Sequence, residues 1–280
     1  MFLRPPALTA DEVFLQLQAS HPDAQVARAV TAVGVDIVGV CVPRDRVRRV
    51  WETWRCRHGE TGWWPYVTSS SPEGEAGHHD GRGHDAAEWE RSVEELVRQD
   101  HDARAASLVI SSFRWSVQGL VHGDEEFEEW RDDYDHARLA PLLGPAVARP
   151  LPGVSRWATE SGALFGRGMR WINFVAARGG YEVPVLLPHL YGTGNWFGYG
   201  CLTPLDDAAV LRRWQEKWGA QLFFAAGPYL ELVVDRPPLD PHGAAQAATE
   251  LHAYCSDTVQ DLTKTGDGMA RSSMWSLWWD

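Results

Sequence analysis

Residues 206–235, DDAAVLRRWQEKWG-AQLFFAA-GP-YLELVVD, decide the fold. Asp206 is placed to cap a helix, and Leu211, Trp214 and Trp218 recur at the i, i+3, i+7 spacing of one apolar stripe. Gly219 suits the helix end, where a left-handed residue is favoured. AQLFFAA and YLELVVD are too short and too rich in apolar residues to continue the helix, and they read as strands joined through Gly227-Pro228. In the second strand Leu230, Leu232 and Val234 alternate with Tyr229, Glu231 and Val233, so one face is the more apolar.

Downstream, Asp240 caps a second helix, with Pro241 in the first turn, where its missing N–H costs nothing. Ala244, Ala248, Leu251 and Cys255 make its stripe, and SMWSLWWD (273–280) closes as a strand. That strand places Trp275, Leu277 and Trp279 on one face and Trp278 on the other. Upstream, WINFVAAR (171–178) and YEVPVLLPHL (181–190) flank Gly179-Gly180, which has the form of a hairpin turn. Pro184 and Pro188 mark the second arm as partly an edge. The order strand–helix–strand–strand–helix–strand is that of a ferredoxin-like βαββαβ sheet, antiparallel, with its helices on one face.

The N-terminal half is expected to be an α/β region packed against that sheet. Residues 11–22 and 23–33 look helical, and GVDIVGVCVP (34–43) reads as a buried strand. RDRVRRVWETWRCRHG (44–59) is a helix with the stripe Val47, Val50, Trp51, Trp54, and Gly59 suits its end. GWWPYVTS (62–69) follows as a strand. The Gly-, Ser- and His-rich stretch within 68–88 reads as a flexible loop. A helix with the stripe Trp89, Val93, Leu96 and Val97 comes next, then a strand in 107–121 and an acidic helix from Asp124. The proline-containing connector ARPLPGVS (148–155) divides the chain into regions 1–150 and 151–280.

Composition narrows the function classes. The chain has 280 residues, 44% of them hydrophobic and 15 of them Trp, enough to bury a sizeable core. Its net charge is -12, from 38 acidic and 26 basic residues, which argues against nonspecific nucleic-acid binding and suits a neutral or basic partner. The opening MFLRPPALTADE has no apolar segment of signal-peptide type, and the longest apolar run is broken by Asp36. A cytoplasmic protein with no membrane contact is expected. Its four widely spaced cysteines carry no CxxC pair and read as reduced thiols.

The C-terminal block resembles the bacterial domain-of-unknown-function family numbered 4253. The resemblance rests on VLRRWQEKWGAQLFF, YLELVVDRPP, the helix ending TELHAYCSDTVQ and the terminal WSLWWD, over residues of about 180 to 280. The segment VPRDRVRRVWETWRCRHGETGWWPYV (42–67) resembles the usual N-terminal part of such proteins. Family members commonly read Glu-His before an aromatic, Cys, Pro, Asp run. Here Leu251 follows Glu250, His252 comes one place later, and Ser256 stands where the Pro falls. The resemblance implies a fold and no established activity.

Candidate chemistry gathers at Glu250, His252, Cys255 and Asp257, where a Cys nucleophile and a His base are a real pairing. Against it, Cys255 lies on the apolar stripe, where a free Cys is usually a small core hydrophobe. His78, His79 and His84 sit beside Asp80 and Asp85, but nothing rigid holds them, and neither a metal nor another cofactor is expected. GTGNWFGYG (192–200) lacks the third glycine of a dinucleotide fingerprint and reads as a loop that exposes aromatics. Tyr191, Trp196, Phe197, Tyr199 and Trp278 are the candidate contact residues. The first expectation is therefore a noncatalytic protein-binding module of immunity or chaperone type. The second is a small-molecule enzyme with a Trp-lined pocket between the two halves, using Glu250, His252, Asp257 or Asn195 for acid/base work.

Overall fold

A computed structural model describes residues 7–81, 86–108, 168–190, 202–255, 257–259 and 266–279. They form a mixed α+β structure around one seven-stranded sheet. In chain order its parts are α1 (Ala10–Ser20), β1 (Gln25–Val30), β2 (Asp36–Pro43), α2 (Arg44–Cys56), β3 (Trp63–Thr68), α3 (Pro72–Gly81) and α4 (Ala86–Arg98). They continue with β4 (Met169–Ala176), α5 (Pro204–Trp218), β5 (Ala220–Ala226), β6 (Tyr229–Val234), α6 (Pro241–Tyr254) and β7 (Met274–Trp278).

The strand order is β1-β2-β4-β3-β5-β6-β7. Every neighbouring pair is antiparallel except β3 and β5, which run parallel with Val67 opposite Phe224. β4 lies between β2 and β3, so strands from both ends of the sequence interleave in one sheet. This is not the pairing of a ferredoxin-like unit, because β4 meets β2 and β3 and touches neither β6 nor β7. The helices also cover both faces of the sheet. Trp54 of α2 packs on Phe174, ring centroids 4.8 Å apart, while the adjacent Asn173 bonds to Ser70 just ahead of α3. Consecutive strand residues point to opposite faces, so α2 and α3 lie on opposite sides. Ser107 and Leu108, the first residues of the strand expected in 107–121, end a helical stretch, while the rest of that strand, the expected domain boundary near 148–155 and the acidic helix from Asp124 lie outside the described residues.

The apolar stripes hold. Val47, Val50, Trp51 and Trp54 are buried, as are Leu211, Trp214 and Trp218, and Ala244, Ala248, Leu251 and Cys255. On α4, Trp89, Val93 and Leu96 are buried but Val97 is exposed. Gly219 ends α5 in the left-handed region, and Asp240 caps α6 by accepting from Gly243 N at 2.8 Å. The cap of α5 is Thr203, with Asp206 three places on reaching back to Thr203 N at 2.8 Å. Asp206 is thus the second half of a capping box, with Pro204 beginning the helix.

Four local expectations are corrected. Residues 25–30 are an edge strand rather than part of a helix. A tight turn at Thr31–Val35, with Gly34 at φ 83°, folds β1 back onto β2, and cross-strand pairing overrides the helical preference of its Ala, Gln and Arg. Residues 72–81, expected as loop, form α3. Ser71 Oγ accepts from Gly74 N at 3.2 Å, Pro72 opens the helix, and Glu73 and Glu75 occupy its positive first turn. The helix after β2 ends at Cys56, and Gly62 supplies the left-handed residue one short turn later. Gly179-Gly180 makes no hairpin, since residues 180–190 run through short helical turns. Gly180 is needed for closeness instead: a Cβ there would sit 2.8 Å from the Trp64 ring and from Leu222 Cβ.

In β7 and the residue after it, Trp275, Leu277 and Trp279 are buried and Trp278 is 36% exposed, as the alternation requires. Truncating one buried Trp to Ala costs about 3–5 kcal/mol, against a total stability of about 5–15 kcal/mol. Deleting residues 275–280 is therefore expected to abolish the cooperative thermal transition seen by circular dichroism, and a preserved transition contradicts this placement of the strand.

Candidate functional site

The acidic and thiol cluster is built into the architecture. Glu250 is fully buried on α6 and accepts from Arg213 Nε (3.1 Å) and Nη2 (3.0 Å), Trp214 Nε1 (3.0 Å) and Gln246 Nε2 (2.9 Å). His252, also buried, places Nδ1 2.6 Å from the Val259 carbonyl, and burial pushes its pKa down, keeping the ring neutral. Burial pushes the Cys255 thiol up to about 11, so it is not the thiolate a nucleophile requires. Its Sγ lies 3.1 Å from the Trp278 carbonyl. Thr258 Oγ1 accepts from Trp278 N at 2.7 Å and donates to Trp278 O at 2.9 Å, which occupies polar backbone on β7 at the margin of the sheet. Asp257 lies partly exposed beside this segment. Asn195, Tyr191, Trp196, Phe197 and Tyr199 lie outside the described residues. Trp278 stands opposite Tyr229 of β6, which is 51% exposed, so two aromatics share an accessible part of the sheet.

A different constellation opens on a cavity. β3 and β5 are parallel neighbours, and Thr68 and Ala226 are their last residues. At those carboxyl ends lies a cavity of about 440 Å³, the position at which open sheets with parallel strands bind ligands. Its polar floor is Glu75 and His189, with Nε2 of the ring 2.6 Å from Oε2 of the carboxylate and both side chains 3% exposed. Thr68 Oγ1 donates to the other carboxylate oxygen at 2.7 Å. Glu75 lies in the first turn of α3, where the helix dipole favours a negative charge. Ser69, Ser70, Gly77, the exposed His78, Leu190 and Ala226–Gly227 complete the lining. No Arg or Lys is among these lining residues.

The sequence reading missed Glu75 and His189 as a pair. They are 114 residues apart, and no local motif joins them. The one available signal was Ser71-Pro72-Glu73, a helix start that places Glu75 in a first turn. His78 is at the cavity rim rather than in a free loop, the side chain of His79 is not described, and His84 lies outside the described residues. Among the described residues no three His, Cys, Asp or Glu side chains converge as a metal set. Among them, too, no helix is long and apolar enough to cross a membrane.

Residues 172–280 match the family described as "Domain of unknown function (DUF4253)", the family that the C-terminal motifs resemble. The match covers nearly all of β4 and everything through β7, so it takes in His189 and Ala226–Gly227 of the cavity but not Thr68, Glu75 or His78. No curated protein and no solved structure matches the chain.

One further buried acid stands out. Asp207, fully buried in the first half of α5, accepts from Tyr254 OH at 2.8 Å, and its Oδ2 has no partner among the described residues. Burial raises its pKa from 3.8 to about 7, with the Tyr254 bond opposing the shift and neighbouring Asp206 adding to it. The folded protein therefore holds a proton that the unfolded chain releases between about pH 4 and 7. Stability from this group is complete below that window and is lost as pH rises through it, by about 4 kcal/mol in all. Urea unfolding of the wild type and Asp207→Asn at pH 5, 6, 7 and 8 is expected to show the variant gaining stability relative to wild type as pH rises, levelling off above 7. A difference that does not change with pH contradicts the assignment.

Proposed function

We propose that this protein binds a small polar molecule at the carboxyl ends of β3 and β5, with Glu75 and His189 as its acid/base element. One observation carries the reading: a buried carboxylate–imidazole pair, 2.6 Å apart, forms the floor of an open cavity. Buried charge is costly unless it is paired and hydrogen-bonded, and here it faces a cavity rather than the middle of a core. Both carboxylate oxygens are engaged, Oε1 by Thr68 and Oε2 by His189. Glu75 therefore orients the ring, and the pair gives the cavity a fixed polar base. The hydroxyls of Thr68, Ser69 and Ser70 beside the carboxylate–imidazole pair suit a polar molecule with hydroxyl or amide groups. This keeps the expectation of a small-molecule enzyme but moves its acid/base residues from Glu250, His252 and Asp257 to Glu75 and His189.

A second reading, binding of a neutral or basic protein, is favoured by the exposed Tyr229–Trp278 pair and by the net charge of -12.

The test uses protein labelled with ¹⁵N and ¹³C at histidine and a defined panel of monosaccharides, nucleosides and amino-acid amides. At least one probe is expected to shift the ring signals of His78 and His189 in the wild type, and Glu75→Gln is expected to abolish the shift while the protein stays folded. A panel that moves neither ring contradicts the small-molecule reading.

A further inference from the structure

We infer that Asn173 is a positioning residue for the cavity, an inference that rests on the small-molecule reading above. Asn173 is fully buried near the middle of β4, between Gly39 of β2 and Tyr66 of β3. Its neighbours Ile172, Phe174 and Val175 are fully buried apolar residues, and an amide in such a row is costly unless its groups are used. Only half of it is satisfied. Nδ2 donates to the Ser70 carbonyl at 3.2 Å, and Oδ1 has no partner among the described residues. The neighbouring strand is shaped to admit it: a Cβ on Gly39 would sit 2.2 Å from Asn173 Oδ1 and 2.8 Å from Pro72 Cγ. A mid-strand glycine weakens a strand, so here too local stability is given up for a close approach.

What these two departures secure is the start of α3. Ser70 lines the cavity, Ser71 caps the helix and Pro72 begins it. Glu75 is four residues into the helix and meets His189 and Thr68 from there. The Asn173 bond to Ser70 thus fixes where the helix begins, and the beginning fixes where the carboxylate points. Asn173 itself is not among the cavity-lining residues and acts through Glu75.

The test replaces Asn173 by Leu, which removes the amide at similar volume. Asn173→Leu takes the donor from the Ser70 carbonyl, a cost small against the stability of a whole domain, so the cooperative melt is expected to persist. The readout is the His189 Nε2–H proton by NMR, which needs no ligand. Its hydrogen exchange is expected to speed up by about tenfold or more in Asn173→Leu as the hold of Glu75 loosens, and the probe-induced shift at His78 is expected to disappear. Should the Leu variant not fold, Asn173→Ala, which adds no group, carries the same measurement. An unchanged His189 exchange rate in a folded variant overturns the positioning role. Faster exchange in the variant, with no probe binding even to the wild type, upholds the positioning role and removes the ligand reading alone.

Discussion

The C-terminal half of this sheet depends on one buried carboxylate. Glu250 on α6 takes the forked guanidinium of Arg213, the indole N–H of Trp214 and the amide of Gln246, with Lys217 Nζ 3.8 Å away. Arg213, Trp214 and Lys217 all belong to α5, so the carboxylate ties two helices together. It also fixes the Trp214 ring, which stands edge-on to Trp275 of β7 at 5.3 Å and to Tyr254 of α6 at 5.1 Å. Tyr254 in turn carries the bond to Asp207. Two helices and the final strand are therefore registered by one group, and the cost of burying its charge is offset only while those donors stay in place.

That constraint gives Glu250, His252 and Cys255 of TELHAYCSD structural partners. Each is engaged in holding the C-terminal part of the sheet: Glu250 to α5, His252 to the Val259 carbonyl, Cys255 to the Trp278 carbonyl. The cavity is elsewhere, where β3 and β5 end side by side. Its two halves come from the two ends of the chain, brought together because β4 inserts between β2 and β3 and leaves β3 to pair with β5. Glu75 enters from α3 and His189 from the turns that follow β4. The part of the site that precedes β4 lies outside the family match, so the likeness of the C-terminal block to that family does not by itself specify the site.

Much of the fold was legible in the sequence because it is local. The Trp214–Trp218 stripe, the left-handed Gly219, the Asp240 cap and the Trp275–Leu277–Trp279 face all follow from spacing within a few residues. Strand pairing was not legible, because it is decided by partners far along the chain. Residues 25–30 have helical composition and become a strand only through β2. Gly179-Gly180 looks like a turn, yet Gly180 is there to let Trp64 and Leu222 approach. The same limit hid the site, since Glu75 and His189 are separated by 114 residues. Asn173 was a readable anomaly, a lone amide in the apolar run WINFVA, but its meaning needed Gly39 and Ser70 beside it.

The most direct measurement of this account is the unfolding free energy of Glu250→Ala beside that of the wild type, by urea titration at neutral pH. Removing Glu250 takes the buried acceptor from the Trp214 N–H, the Gln246 amide and the Arg213 fork, and a loss of about 3–5 kcal/mol is expected. A loss under about 1 kcal/mol, the scale of an exposed ion pair, would contradict the claim that this carboxylate holds the C-terminal half together.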